Sequence, residues 1–148
     1  MKRYIIASAV ITASVLAMSS CTTADPRPVD TSQSPQSLMR ALESSLKEKS
    51  GESYGGLSGR GGASQSSSIE ISGDRSGLAV YAMCTGTAGE AKVTIADQSA
   101  VTMTCDTGSG IQVLSGDVPL KGVRLTVTVE GAPAGSAWAI AAGAPNLN

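Results

Sequence analysis

The chain has 148 residues, 41% of them hydrophobic and 16% charged, and a formal net charge of −1. A near-neutral balance provides no basic field for nucleic acid. With 3% aromatics and no phenylalanine, the core is confined to Val, Ile, Leu, Ala and Met, which limits the chain to one small domain.

In chain order, the first segment is an address label. Lys2 and Arg3 precede an uncharged, mostly apolar run from Tyr4 to Met18. That run is shorter than the ~20 residues a spanning helix needs. A basic head, a short apolar stretch and small residues at the end make residues 1–20 a secretory signal peptide. Its last residues with the following cysteine, Met18-Ser19-Ser20-Cys21, resemble the lipobox of bacterial lipoproteins, with Met18 in place of the usual leucine. The resemblance implies that Cys21 carries a diacylglyceryl thioether and fatty acid such as palmitate, and that it becomes the mature N-terminus. The implied location is the extracytoplasmic face of the cell membrane. Two or three acyl chains on one cysteine anchor firmly, where one holds marginally. After cleavage 128 residues remain, with 9 basic against 12 acidic side chains, or −3. There is no polybasic patch for anionic lipid, so the lipid itself is the expected membrane contact.

Residues 21–36 read as a lipid-anchored tether: three prolines and almost no apolar side chain. Fully stretched, such a segment reaches at most ~50 Å. A short amphipathic helix is expected over residues 37–50, entered through Ser34 as N-cap and Pro35 at the first helical position. Leu38, Leu42 and Leu46 recur at four-residue spacing, Met39 widens their stripe, and Gly51 suits the C-terminal end. The polar face is mixed in sign, which favours docking on the domain over lying on a membrane. Residues 51–65 read as a Gly/Ser-rich linker, because residues 50–68 hold 13 Gly or Ser in 19 positions.

From residue 66 to 148 the pattern is that of strands. Ile69 and Ile71 mark a short first one. In LAVYAMC, Leu78, Val80, Ala82 and Cys84 share one face, and Ala79, Tyr81 and Met83 share the other. Val93 and Ile95 follow, then Val101, Met103 and Cys105, then the run at residues 111–114. Val123, Leu125, Val127 and Val129 alternate with Arg124, Thr126, Thr128 and Glu130, and Ala137 to Ala141 forms the last strand. About seven strands joined by short turns predict an all-β fold, a small antiparallel β-sandwich, with a small barrel as the alternative. Parallel pairing would need longer crossovers.

Cys84 and Cys105 fall in the apolar register of their strands, where a disulfide or two buried thiols would both fit. Export, which the lipobox implies, favours the disulfide. It also settles the odd cysteine count: Cys21 takes lipid and the other two pair. The run from YAMCTGTAGEAKVTI through MTCDTG to Trp138-Ala139 is similar to small secreted or lipid-anchored β-domains of actinobacteria, over about residues 77–141. That group has no assigned activity, so the resemblance implies no functional residue.

Little here points to chemistry. Histidine is absent, and with it the commonest general base and metal ligand. There is no GxSxG or SxxK, and the Gly-rich stretch lacks the phosphate-binding pattern. The carboxylates Glu70, Asp74, Glu90, Asp97, Asp106, Asp117 and Glu130 fall in turns or on polar strand faces. The Asp106 turn lacks the acidic density of a calcium loop. No metal site, cofactor or nucleic acid is expected. Tyr81 and Trp138 are the candidates for stacking on a ligand; a core position in register with Ile140 is the simpler expectation for Trp138. The expected function is a membrane-anchored, non-catalytic lipoprotein whose β-sandwich binds an envelope protein or glycan. The alternatives are a structural or antigenic surface module and, last, a histidine-free enzyme.

Overall fold

The computed structural model describes residues 33–50, 52–71, 77–108, 110–119 and 122–145. The expected signal peptide, Cys21 and most of the expected tether lie outside the described residues, as does Asp74. One helix, α1 (Pro35–Ser50), is followed by β1 (Ser53–Arg60), β2 (Gln65–Glu70), β3 (Leu78–Thr85) and β4 (Gly89–Ile95). Then come β5 (Val101–Cys105), β6 (Gln112–Val118), β7 (Arg124–Glu130) and β8 (Ala137–Gly143). The strands form two four-stranded antiparallel sheets, β1-β8-β3-β6 and β2-β7-β4-β5. The fold is the expected small all-β sandwich, with α1 as a third layer.

Strand parity sorts the side chains between layers. Leu78, Val80, Ala82 and Cys84 of β3 and Trp138, Ile140 and Ala142 of β8 face the second sheet. There they meet Ile69, Val93, Ile95, Met103, Leu125, Val127 and Val129. The alternate residues, Ala79 and Tyr81 of β3 and Ala137, Ala139 and Ala141 of β8, pack against Leu38, Leu42 and Leu46 of the helix. All three leucines are 0% exposed, so the Leu stripe docks the helix on the domain. The helix begins as expected: Ser34 Oγ accepts the amide of Ser37 at 3.2 Å, and the Leu38 amide reaches the Ser34 carbonyl at 3.0 Å. Its first turn takes in Pro35 and Gln36, assigned above to the tether.

The cysteine pair is a disulfide. Cys84 on β3 and Cys105 on β5 are both buried and bonded, their Cα atoms 4.6 Å apart, and the bond joins one sheet to the other. Beside it, the Gln112 carboxamide accepts the Thr104 amide at 2.8 Å and donates to the Thr104 carbonyl at 2.6 Å. A side chain there makes the two bonds that a neighbouring strand would make to the edge of β5.

Three expectations are corrected. The linker assigned to residues 51–65 contains β1, and β2 begins at its end, giving eight strands rather than seven. Composition misleads here because the glycines serve close approach. A Cβ at Gly56 would collide with Met39 of the helix and stand 2.7 Å from the Ile140 carbonyl oxygen. One at Gly59 would run into the Trp138 ring. Val123 lies outside β7 and is 65% exposed, although it is in register with the buried Leu125, Val127 and Val129. β6 runs to Val118 rather than stopping at residue 114; its pairing with β3 contains register shifts, and Leu114 and Val118 turn inward while Val113 faces out.

Two measurements check this architecture. The double variant Cys84→Ala/Cys105→Ala is expected to lose about 3 kcal/mol in urea unfolding, from the entropy of the opened loop; an unchanged midpoint would show the bridge to be energetically silent. Leu42→Ala, which hollows the helix–sheet layer, is expected to cost about 2–5 kcal/mol in the same assay.

Candidate functional site

Both aromatic candidates lie away from solvent. Tyr81 is 1% exposed beneath the helix, and its hydroxyl donates to the Ala144 carbonyl at 2.6 Å. Burial pushes its phenol above the ordinary value. Neither face of the ring is free, so Tyr81 is not a stacking platform. Trp138 is 2% exposed and belongs to the inter-sheet core. It too offers no open face, and stacking as an outer-surface platform is ruled out for both.

The carboxylates remain dispersed. Glu70, Glu90, Asp97, Asp106, Asp117 and Glu130 are all exposed. Among the described residues no three His, Cys, Asp or Glu side chains gather as metal ligands. Asp106 Oδ1 accepts the Gly108 amide at 2.8 Å, closing its own turn. Glu70 pairs with Arg124 at 3.0 Å on the surface, where such a pair contributes little.

The outer face of the sheet β2-β7-β4-β5 carries a ladder of hydroxyls and charges. Ser66 and Thr128 lie within hydrogen-bonding distance at 2.9 Å, and Ser68 and Thr126 at 3.3 Å. Thr102 and Thr104 continue this exposed face on β5, and Lys92 stands opposite Glu130 and Thr102. It is a solvated polar surface.

The feature that departs from the pattern of the rest is the seam between β1 and β2, the edge strands of the two sheets. A groove of about 470 Å³ runs there, bordered by Leu57 and Ser58 of β1, by Ser64 to Ser67, and by Trp138. Register places Gln65 opposite Val129, Ser67 opposite Val127 and Ile69 opposite Leu125. Gln65 and Ser67 therefore occupy core-side positions of β2, where the pattern calls for apolar groups. Across the seam, Gly59 pairs with Trp138 and presents no side chain. A Cβ there would collide with Gln65 Oε1 and stand 2.5 Å from Trp138 Cζ2 and 2.9 Å from Cε2. The indole edge that carries Nε1 thus lies beneath Gly59 and beside the Gln65 carboxamide. Among the described residues, Trp138 Nε1 is buried with no hydrogen-bond partner, as are Ser53 Oγ and Thr85 Oγ1. A buried donor left unpaired costs about 1–3 kcal/mol. Gly59 and Gln65 are hidden in the sequence because they fall within residues 51–65, whose composition reads as a linker. Counting back by two from Ile69 through Ser67 to Gln65 places both polar residues on the inner face of β2.

Comparison with protein-family models, with curated proteins and with solved structures finds no match to this chain. No helix among the described residues is long and apolar enough to cross a membrane.

The buried phenol generates a pH prediction. Below about pH 10 the stability contributed by protonated Tyr81 is fully present. Above it the unfolded phenol ionises first, so stability falls as pH rises through the raised folded value. Tyr81→Phe is expected to show a shallower loss of urea midpoint between about pH 9 and 11 than the parent chain. Equal slopes would show that Tyr81 ionises as readily folded as unfolded.

Proposed function

We propose that this chain is an extracytoplasmic lipoprotein, held to the membrane by lipid on Cys21, whose β-sandwich is a non-catalytic binding module for an envelope protein or glycan. The observation that carries the reading is the buried Cys84–Cys105 bridge. Such bonds persist outside the cytosol. The bridge uses two of the three cysteines and leaves the lipobox cysteine for acylation. The helix covers the outer face of β1-β8-β3, while the opposite polar sheet and the β1/β2 seam remain open to a partner. The seam, with its polar core-side residues and unpaired indole donor, is the stronger candidate.

A second reading, a structural or antigenic surface module without a specific ligand, is favoured by the hydroxyl-rich outer face of β2-β7-β4-β5. The dispersed, exposed carboxylates lend a histidine-free enzyme no support.

Growth on a radiolabelled or clickable fatty acid is expected to label the parent chain and not the Cys21→Ser variant. Equal label in both would end the lipoprotein reading. Photo-crosslinking in cells from probes at Ser64 and Thr102 is expected to trap one recurrent partner at the seam probe. Diffuse products from both probes would favour the surface-module reading.

A further inference from the structure

We infer that the β1/β2 seam binds a neutral, hydroxyl-rich ligand, a saccharide unit, with Trp138 Nε1 as a buried donor and the side chains of Gln65 and Ser67 as exchangeable donors and acceptors. The inference deepens the binding-module reading above and rests on it.

Three observations converge. The first is the composition of the groove. Its border is serine hydroxyls, one carboxamide, an indole and Leu57, without an ionisable side chain. An anionic or cationic ligand would find no countercharge there, whereas a polyol would find groups that both donate and accept. Two other grooves on the surface differ in this respect. One is bordered by Asp97 and Arg124, another by Glu90, Lys92 and Glu130. The second observation is the register. Gln65 and Ser67 sit opposite Val129 and Val127 on the core side of β2, where valine or isoleucine would close the seam and stabilise the sandwich. The polar residues keep it open. Gly59 acts in the same sense, since any Cβ would cover the indole edge and strike the Gln65 carboxamide. The third is the unpaired Nε1 itself, on the indole edge adjoining Gly59 and Gln65. A ligand oxygen reaching that edge satisfies a donor that the described residues leave without a partner. Leu57 supplies an apolar border against which the C–H face of a sugar ring can rest.

An extended peptide is the competing occupant, because β2 is an edge strand of its sheet. Strand addition would be held by the β2 backbone and would be largely indifferent to the side chains at positions 65 and 67. The saccharide needs those side chains, and the two modes separate on that point.

Trp138 is the single tryptophan of the chain, so its emission reports this groove without a label. The full-length protein in detergent is titrated with maltotriose, mannotriose and cellotriose, each to about 10 mM, a range in which millimolar affinity is visible. The parent chain is expected to give a saturable change in emission with at least one of them. The variant Gln65→Leu/Ser67→Val, which makes the seam apolar, is expected to bind about tenfold more weakly, as loss of one or two neutral hydrogen bonds requires. Its melting temperature is expected to be equal to or above that of the parent, which separates lost binding from lost folding. The single variant Ser67→Ala, which only removes a hydroxyl, serves as a gentler check and is expected to weaken binding in the same direction. Absence of saturable change with all three sugars overturns the inference, as does undiminished binding in the double variant. If the sugars fail while the Ser64 photoprobe still traps an envelope protein in cells, the saccharide falls and the binding module stands. If both fail, both fall.

Discussion

Strand β8 has to be buried on both faces, and the rest of the structure follows from how that is achieved. Trp138, Ile140 and Ala142 enter the space between the sheets, while Ala137, Ala139 and Ala141 turn toward the helix. Side chains no larger than methyl on the outer face let three leucines pack close to the strand, and Gly56 of the neighbouring β1 admits Met39 in the same way. The chain contains no phenylalanine and little aromatic area. It compensates by making a second apolar layer, so that β3 and β8 each contribute burial twice. An ordinary sandwich of this size would bury one face of each sheet. Here the helix converts half of an exposed surface into core.

This arrangement explains why some of the fold could be read from residues and some could not. The alternation in β3, β4, β5 and β7 has a period of two, and the structure places Leu78, Val80, Ala82 and Cys84 on one face and Ala79 and Tyr81 on the other, as that period requires. The cysteine register was legible for the same reason. Tyr81 was not. Its parity puts it on the outer face, and nothing in the strand itself signals that this face is covered by a helix from a distant part of the chain. β1 was illegible because glycine and serine carry the same letters whether they confer freedom in a linker or permit contact in a packed strand. Only the partners, Met39 above Gly56 and Trp138 beside Gly59, distinguish the two. The candidate seam was hidden by that misassignment. Its signal is a register that is apolar at Ile69 and turns polar at Ser67 and Gln65, which becomes visible once these residues are known to form a strand.

The two sides of the sandwich are finished differently. At the β5/β6 side a disulfide spans the sheets, Gln112 occupies the edge of β5, and Thr85 and Asp106 form a further bridge. At the other side the chain passes from β1 to β2 through a turn held by Gly61 and Gly62 amides on the Ser136 and Ala132 carbonyls. Beyond that turn the sheets separate and leave the groove. Rigidity is concentrated opposite the place where the surface is open, which suits a recognition site carried on an unyielding frame.

The Gln112 carboxamide has a consequence for how copies of this molecule meet. A sheet that grows by adding strands needs a vacant edge at each end, as a polymer needs two reactive termini. In β2-β7-β4-β5, the β5 end is already occupied at Thr104 by a side chain acting as a stub of strand. The molecule is then a monofunctional unit with respect to edge pairing through that sheet: two copies can meet, but a third has nowhere to join. At high local concentration, fibre growth through that sheet is guarded against by one glutamine, without a charge or a proline on the protected strand.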